Sequence, residues 1–126
     1  MVRFYLYFNA ALYFLFALWC TIAPLDTSQQ LGYSTLTPAG LSEYLVVYGG
    51  IELGLGVFFL YCARRETRTG ILFSLALYAP IVLFRWISIA RLWPVSMATV
   101  TIGALETLLL LAALILCRSS QQSSIH

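Results

Sequence analysis

Residues 44–62 read YLVVYGGIELGLGVFFLYC, an apolar run with one charged residue, Glu52. A helix that spans the hydrocarbon core of a bilayer needs roughly 20 predominantly apolar residues, and this run has that length and composition. Thr37 and Pro38 precede it as an N-cap and a first-turn proline, so the helix is predicted to start there and to reach Cys62. The chain is therefore predicted to cross a membrane at this segment.

Three further apolar runs complete a predicted set of four helices, at about 4–23, 38–62, 70–90 and 95–117. Pro24 ends the first helix, the polar stretch 25–37 is predicted to be an exposed loop, and the charged segment 64–68 separates the second helix from the third. Residues 1–118 form one predicted domain, and the polar tail 119–126 is predicted to be disordered. The predicted fold class is an all-α integral membrane protein, an antiparallel bundle of four transmembrane helices.

Composition excludes two broad classes of protein. Of the 126 residues 61% are hydrophobic and 10% are charged, whereas soluble domains are about 45–50% apolar and about 25% charged. The mean hydropathy is +0.88. Seven basic and five acidic residues give a net charge of only +2, and the arginines are scattered along the chain. A soluble globular domain is therefore excluded, and no nucleic-acid partner is expected.

The arginines near the helix ends predict the orientation. Arg91 lies at one predicted membrane face, and the opposite face carries a larger group: Arg3, Arg64, Arg65, Arg68 and Arg118. Because the cytoplasmic side carries the excess of basic residues, both termini are predicted to be cytoplasmic. The predicted location is the inner (plasma) membrane, with several passes through it and with the lipid bilayer as the first partner.

Polar residues inside the spans are the candidate site, because a charge at mid-depth costs at least about 2.5–3.5 kcal/mol on insertion scales. The predicted buried polar cluster, which is also the candidate ligand-binding site, comprises Asn9, Tyr48, Glu52, Tyr78, Arg85 and Glu106. Their depths along the helices predict that Arg85 bridges Glu52 and Glu106, with Asn9 nearer the cytoplasmic side. One negative charge is then left over, for which a proton, an inward-reaching Arg91 or a cationic ligand could compensate. Alternatively, the cluster only holds the helices in register.

Glycines mark the predicted helix-packing positions, which are Gly49, Gly50, Gly54, Gly56 and Gly103. Gly50 and Gly54 form a small-xxx-small pair, a spacing that lets a neighbouring helix approach closely. Gly49 and Gly56 lie on a different face of the same helix. Two glycine faces predict that the second helix is packed on both sides, either centrally in the bundle or at a dimer contact.

Catalysis is not expected from this sequence. The one histidine, His126, lies in the tail, the three cysteines have no metal-binding spacing, and the glycines lie within a helix where no phosphate loop forms. No catalytic residue, metal site or cofactor is therefore predicted, and the cysteines are interpreted as small apolar residues.

The YGGIELGLG core of residues 48–56, with Asn9, Pro24, Arg85 and Glu106, resembles an uncharacterised bacterial family of small four-helix inner-membrane proteins, designated domain of unknown function 4345 and distantly DoxX-like. The resemblance covers nearly the whole chain. It implies a four-helix integral membrane protein in which Asn9, Glu52, Arg85 and Glu106 occupy the family's polar positions. It also implies that the protein acts as a partner of other proteins more than as a catalyst, since DoxX-like relatives are accessory subunits of membrane redox systems or assembly helpers.

Two functional hypotheses follow. The first is a non-enzymatic accessory, scaffold or assembly partner in the cell envelope, which contacts another membrane protein or a second copy of itself. The second is a binder or carrier of a small molecule or lipid, in which Glu52 and Glu106 are the proton-linked or cation-linked groups.

Overall fold

The computed structural model describes the backbone of residues 1–122 and the side chains of residues 1–119. Every regular element in this part of the chain is helical, and it contains no strand. The elements are α1 (Val2–Ile22), α2 (Pro24–Gln30), α3 (Pro38–Leu45), a π-helical segment (Val46–Ile51), α4 (Glu52–Arg65), α5 (Thr67–Leu92) and α6 (Met97–Gln122).

Four stretches are long and apolar enough to cross a membrane: Val2–Ile22, Pro38–Arg65, Thr67–Leu92 and Met97–Ser119. These four spans confirm the predicted all-α membrane fold. The second span extends past Cys62 to Arg65, and a single residue, Glu66, separates it from α5. Residues 119–122, predicted as the start of a disordered tail, continue α6, and residues 123–126 lie outside the described residues.

The second span starts at the predicted cap. The Thr37 side chain accepts a hydrogen bond from the backbone N–H of Gly40 at 3.1 Å, and Pro38 occupies the first turn. The hydroxyl thus satisfies one of the free N–H groups at the helix start, while proline has no N–H to satisfy.

The prediction of an exposed loop over residues 25–37 is wrong for its first part, which forms α2. Thr27 and Ser28 are buried, although their residue types suggested exposure. Their hydroxyls donate to backbone carbonyls of the same helix, Thr27 to Ala23 at 2.8 Å and Ser28 to Leu25 at 2.8 Å. Because these local bonds satisfy the hydroxyls, the polar segment packs against the protein at little cost.

The second span is not one uninterrupted α-helix as predicted, because residues Val46–Ile51 form a π-helical segment. It contains the adjacent Gly49 and Gly50, whose low helix propensity makes a departure from α-geometry inexpensive. Segments of this kind are frequent at functional sites, and this one ends immediately before Glu52.

The helices pack as two pairs, α1 along α4 and α5 along α6. The pairs join around an apolar core at the end of the bundle that holds the N-terminus and Glu66. This half is called the closed end, and its buried residues are Tyr5, Leu6, Ala10, Tyr13, Phe59, Cys62, Ala63, Ile71, Tyr78, Leu109 and Ala113. The opposite half contains the middle of the second span and the ends of α5 and α6 that lie near the connection between them.

Candidate functional site

Two of the six predicted site residues belong to the closed end. Asn9 is fully buried, and its Oδ1 accepts a hydrogen bond from the Tyr78 hydroxyl at 2.5 Å. The Asn9 Nδ2 donates to the backbone carbonyl of Tyr5 at 2.8 Å, and the Tyr5 hydroxyl donates to the carbonyl of Leu109 at 3.0 Å. These bonds connect α1 with α5 and α6, so Asn9 and Tyr78 hold the helices together. Asn9 lies nearer than the charged residues to the end of the bundle that holds the N-terminus, in agreement with the depths predicted along the helices.

Arg85 and Glu106 form a two-point ion pair between α5 and α6. The Arg85 Nε donates to Glu106 Oε2 at 2.9 Å, and its Nη2 donates to Oε1 at 2.8 Å. Their side chains keep 31% and 15% of their surface exposed, so this ion pair is only partly buried, whereas the prediction made it part of a buried cluster. Among the described residues the buried polar side chains are those of Asn9, Thr27, Ser28 and Ser74, none of which is charged.

Gly103 makes room for this ion pair. A Cβ at position 103 would lie 3.0 Å from the Cγ of Arg85. The arginine stem therefore lies directly across the α6 backbone, one turn before Glu106. Gly103 was predicted as a helix-packing position, but its contact with the arginine was not predicted.

Glu52 lies apart from that pair, and the predicted bridge from Arg85 to both glutamates does not form. Within residues 1–119 the Glu52 carboxylate has no hydrogen-bond or ion-pair partner. The formal charges of Glu52, Arg85 and Glu106 add up to −1. The surplus negative charge counted from the sequence therefore remains, and Glu52 is the residue without an ion-pair partner.

Glu52 lines a cavity of about 380 Å³, which we call the polar cleft. Charged and phenolic side chains make up half of its lining residues. The lining residues are Phe16, Leu31, Gly32, Tyr33, Tyr48, Glu52, Arg85, Thr99, Ile102 and Glu106. Four of the predicted site residues therefore meet here, on α4, α5, α6 and the π-helical segment.

A second cavity of about 500 Å³, the apolar cavity, adjoins the polar cleft. The two share Phe16, Glu52, Ile102 and Glu106 as lining residues. The other nine side chains of the apolar cavity are all aliphatic or aromatic: Leu12, Tyr13, Leu15, Trp19, Leu55, Tyr78, Ile81, Leu105 and Leu109. The unpaired carboxylate thus lies where a polar space meets an apolar one.

Aromatic rings cover the outer part of the polar cleft. The ring centroids of Tyr44 and Tyr48 are 4.6 Å apart, and Tyr33 contacts both rings edge-on at 5.9 and 6.5 Å. The Tyr33 and Tyr48 hydroxyls are 3.3 Å apart, and the Tyr44 hydroxyl donates to Thr27 at 2.8 Å. The α2 helix and the loop after it are thereby fixed over the site.

The candidate site predicted from the sequence did not include the lining residues Phe16, Trp19 and Tyr33. Phe16 lies seven residues after Asn9 on one helical stripe, a signal that was available. Tyr33 carried no such signal, because its place depends on the fold of α2.

The glycines of the second span separate into two groups. A Cβ at Gly49 would lie 2.9 Å from Thr21 Oγ1, and a Cβ at Gly56 would lie 2.9 Å from the Phe14 ring. These two glycines therefore pack against α1. By contrast, a Cβ at Gly50 or Gly54 would meet no heavy atom within 4 Å. Among the described residues, the second span is therefore packed on its Gly49–Gly56 face and not on its Gly50–Gly54 face.

The chemistry available at the cleft is recognition of charge next to an apolar surface. Among the described residues, no group of three His, Cys, Asp or Glu side chains is placed to hold a metal ion. The arrangement offers one unpaired carboxylate, an internally neutral ion pair and phenolic rings.

Comparison with known proteins identifies a family without an assigned activity. No curated protein and no solved structure matches the chain. Residues 1–117 match the profile of the family described as Domain of unknown function (DUF4345). The match includes all the candidate site residues on α1, α4, α5 and α6. Since it covers more than half of the chain, the protein belongs to the DUF4345 family.

Proposed function

We propose that this membrane protein is a non-enzymatic accessory protein of the inner membrane that acts by contacting a helix of another membrane protein. The observation that carries the proposal is the outward glycine face of the second span. Gly50 and Gly54 are exposed and have open space beside them. The sequence-based likeness to DoxX-like accessory proteins of bacteria stays a prediction and agrees with this role.

The surroundings of the two glycines fit a helix partner. Val47 and Val57 extend the face in both directions and are 41% and 56% exposed. Membrane helices associate largely through van der Waals packing, for which glycines let two backbones approach closely. Because α1 already covers the opposite glycine face, the Gly50–Gly54 face is the one left for a partner outside the chain.

Dependence of a complex on Gly50 and Gly54 tests this role. The tagged chain would be extracted in mild detergent and weighed by native mass spectrometry, as wild type, Gly50→Leu and Gly54→Leu. Ala76→Leu is the matched control, because Ala76 is exposed on α5, away from this face. We expect a second protein in fixed ratio that both glycine variants lose and the control keeps.

Other outcomes of that measurement contradict the accessory role. A complex that survives both glycine substitutions would remove the proposed contact face. A wild-type homodimer that both substitutions dissociate would replace the heteromeric contact with a self-association. A chain that is monomeric in every preparation would overturn both kinds of contact.

The cavities favour a second candidate function, the binding of a small molecule or lipid. The supporting observation is the position of Glu52, which has no partner within residues 1–119 and borders both cavities. This function is compatible with an accessory role, since the cleft and the Gly50–Gly54 face involve different surfaces of the second span.

The proposed orientation places both termini in the cytoplasm. The uneven distribution of arginines supports it, with Arg91 alone on the face opposite to Arg3, Arg64, Arg65, Arg68 and Arg118. In this orientation the closed end lies on the cytoplasmic side and the polar cleft on the outer side.

A further inference from the structure

We propose that the polar cleft and the apolar cavity together bind an amphiphile with a cationic amine head and a single apolar tail. The inference rests on ligand binding as the function of the cleft, and it names the chemical class of the ligand. Charge, cavity shape and access each support it.

The charge at the site favours a cation. Two of the three charged side chains compensate each other, because Arg85 donates to both carboxylate oxygens of Glu106. Glu52 is left as an unpaired carboxylate in a largely apolar protein, and such a group is stabilised by a positive partner. An anionic head would meet the surplus negative charge, and a neutral head would leave it uncompensated.

Aromatic rings strengthen the case for an amine. Phe16, Tyr33 and Tyr48 line the polar cleft beside Glu52, and a cation within about 6 Å of such a ring is attracted to its face. A bare metal ion is a poorer fit, because within the described residues no group of three His, Cys, Asp or Glu side chains is placed to hold one.

The apolar cavity determines the rest of the ligand. It begins at Glu52 and is walled mainly by aliphatic side chains, among them Leu12, Leu55 and Leu105. Its volume of about 500 Å³ falls in the ordinary range of small-molecule sites, about 300–1,000 Å³. A tail in this cavity stays next to the carboxylate that holds the head, so one molecule can occupy both spaces.

Both α1 and α6 contribute residues to the wall of the apolar cavity. Leu15 and Trp19 line it on α1 and are 67% and 45% exposed on the outer surface of the bundle. The Tyr5 to Leu109 hydrogen bond joins α1 to α6 at the closed end, where Leu109 also lines the cavity. A ligand can therefore reach the site from the lipid side of the protein.

The test is a titration with three amphiphiles that differ only in the head. The probes are 12-bromododecylamine, 12-bromododecanol and 12-bromododecanoic acid, added to the full chain in a neutral maltoside detergent. Bromine quenches tryptophan on contact, so Trp86→Phe and Trp93→Phe would leave Trp19, in the cavity wall, as the reporter. We expect saturable quenching by the amine, at least about tenfold tighter than by the alcohol or the acid.

Two glutamate variants make the test specific. Glu52→Gln keeps the shape of the side chain and removes its charge, and we expect it to weaken binding of the amine at least about tenfold. Glu43→Gln removes a charge from an exposed position on the same span and should leave binding unchanged. Butylamine, which competes for the head position with little tail, should displace the bromoamine at least about a hundredfold less effectively than dodecylamine. This comparison needs no variant at Glu52.

Each result has a defined meaning. Equal affinity for the three heads, or no effect of Glu52→Gln, would overturn the amine while keeping ligand binding. If none of the three probes gives saturable quenching, both the amine proposal and ligand binding at the cleft would be overturned. Native mass spectrometry distinguishes the source of the ligand: an amine-headed lipid retained by the wild type and lost in Glu52→Gln would come from the bilayer. A bare protein that binds the added amine would indicate a free amphiphile.

Discussion

The closed end of the bundle and the opposite end, which contains the polar cleft and is called the cleft end, are built from the same four spans. They differ in whether their polar groups have partners. At the closed end the buried polar atoms of Asn9 and Tyr78 pair with each other, among a cluster of buried and mostly apolar side chains. At the cleft end Glu52 has no partner in the described chain, and two cavities meet beside it. This contrast underlies the proposal that one half of the bundle provides cohesion and the other recognises a ligand.

The largest expected effect belongs to the closed end. Asn9→Leu removes the acceptor of the Tyr78 hydroxyl, which is buried, and an unsatisfied buried group costs about 1–3 kcal/mol. The free energy of unfolding in mild detergent should fall by that amount. The double variant Asn9→Leu, Tyr78→Phe should recover most of the loss, because neither partner then needs a hydrogen bond. A double variant no more stable than Asn9→Leu alone would mean that another contact of Asn9 matters more.

At the cleft end the two glutamates should differ in their effect on stability. Glu106→Gln weakens a charged two-point bond to Arg85 that is partly exposed, so the free energy of unfolding should fall by about 1–2 kcal/mol. Glu52→Gln should change it by less than about 0.5 kcal/mol, since substitutions that break no specific contact usually fall within that range. Unfolding of the two variants under identical conditions checks this, and an equal loss would contradict the unpaired state of Glu52.

The next prediction concerns the orientation of the chain in the membrane. Its readout is the labelling of single cysteines, and no change in stability is involved. Ser34→Cys and Thr69→Cys place single thiols at exposed positions on opposite sides of the bundle, in a chain whose three cysteines are replaced by alanine. An impermeant maleimide added to intact cells should label position 34 at once and position 69 only after permeabilisation. The reverse pattern would place the closed end outside.

The number of spans was predictable because the bilayer imposes a length and composition that apolar runs report directly. The start at Thr37 was predictable for a similar reason, since an N-cap acts within one turn of its own residue. The α2 helix was not, because the burial of Thr27 and Ser28 depends on local side-chain bonds that polarity alone conceals. The π-helical segment likewise needed the packing of Gly49 against α1 to be known.

The candidate site was predictable as a set of residues and not as a pairing. Helical spacing correctly brought Glu52, Arg85 and Glu106 to one end of the bundle. It did not determine which carboxylate Arg85 would bind, because that choice follows from the close pairing of α5 with α6 and from the space left by Gly103. Depth along a helix gives the position of a side chain in one dimension only. An ion pair depends on the distance between two side chains in three dimensions.

Access to the apolar cavity from the lipid side, as proposed above, would change how a ligand is collected. Amphiphiles partition strongly into a bilayer, where each buried methylene contributes about 0.8 kcal/mol. A site that opens within the membrane therefore samples a reservoir far more concentrated than the surrounding water, and a molecule reaches it by diffusing in two dimensions. A modest intrinsic affinity at Glu52 would then suffice for high occupancy, and departure would return the ligand to the leaflet.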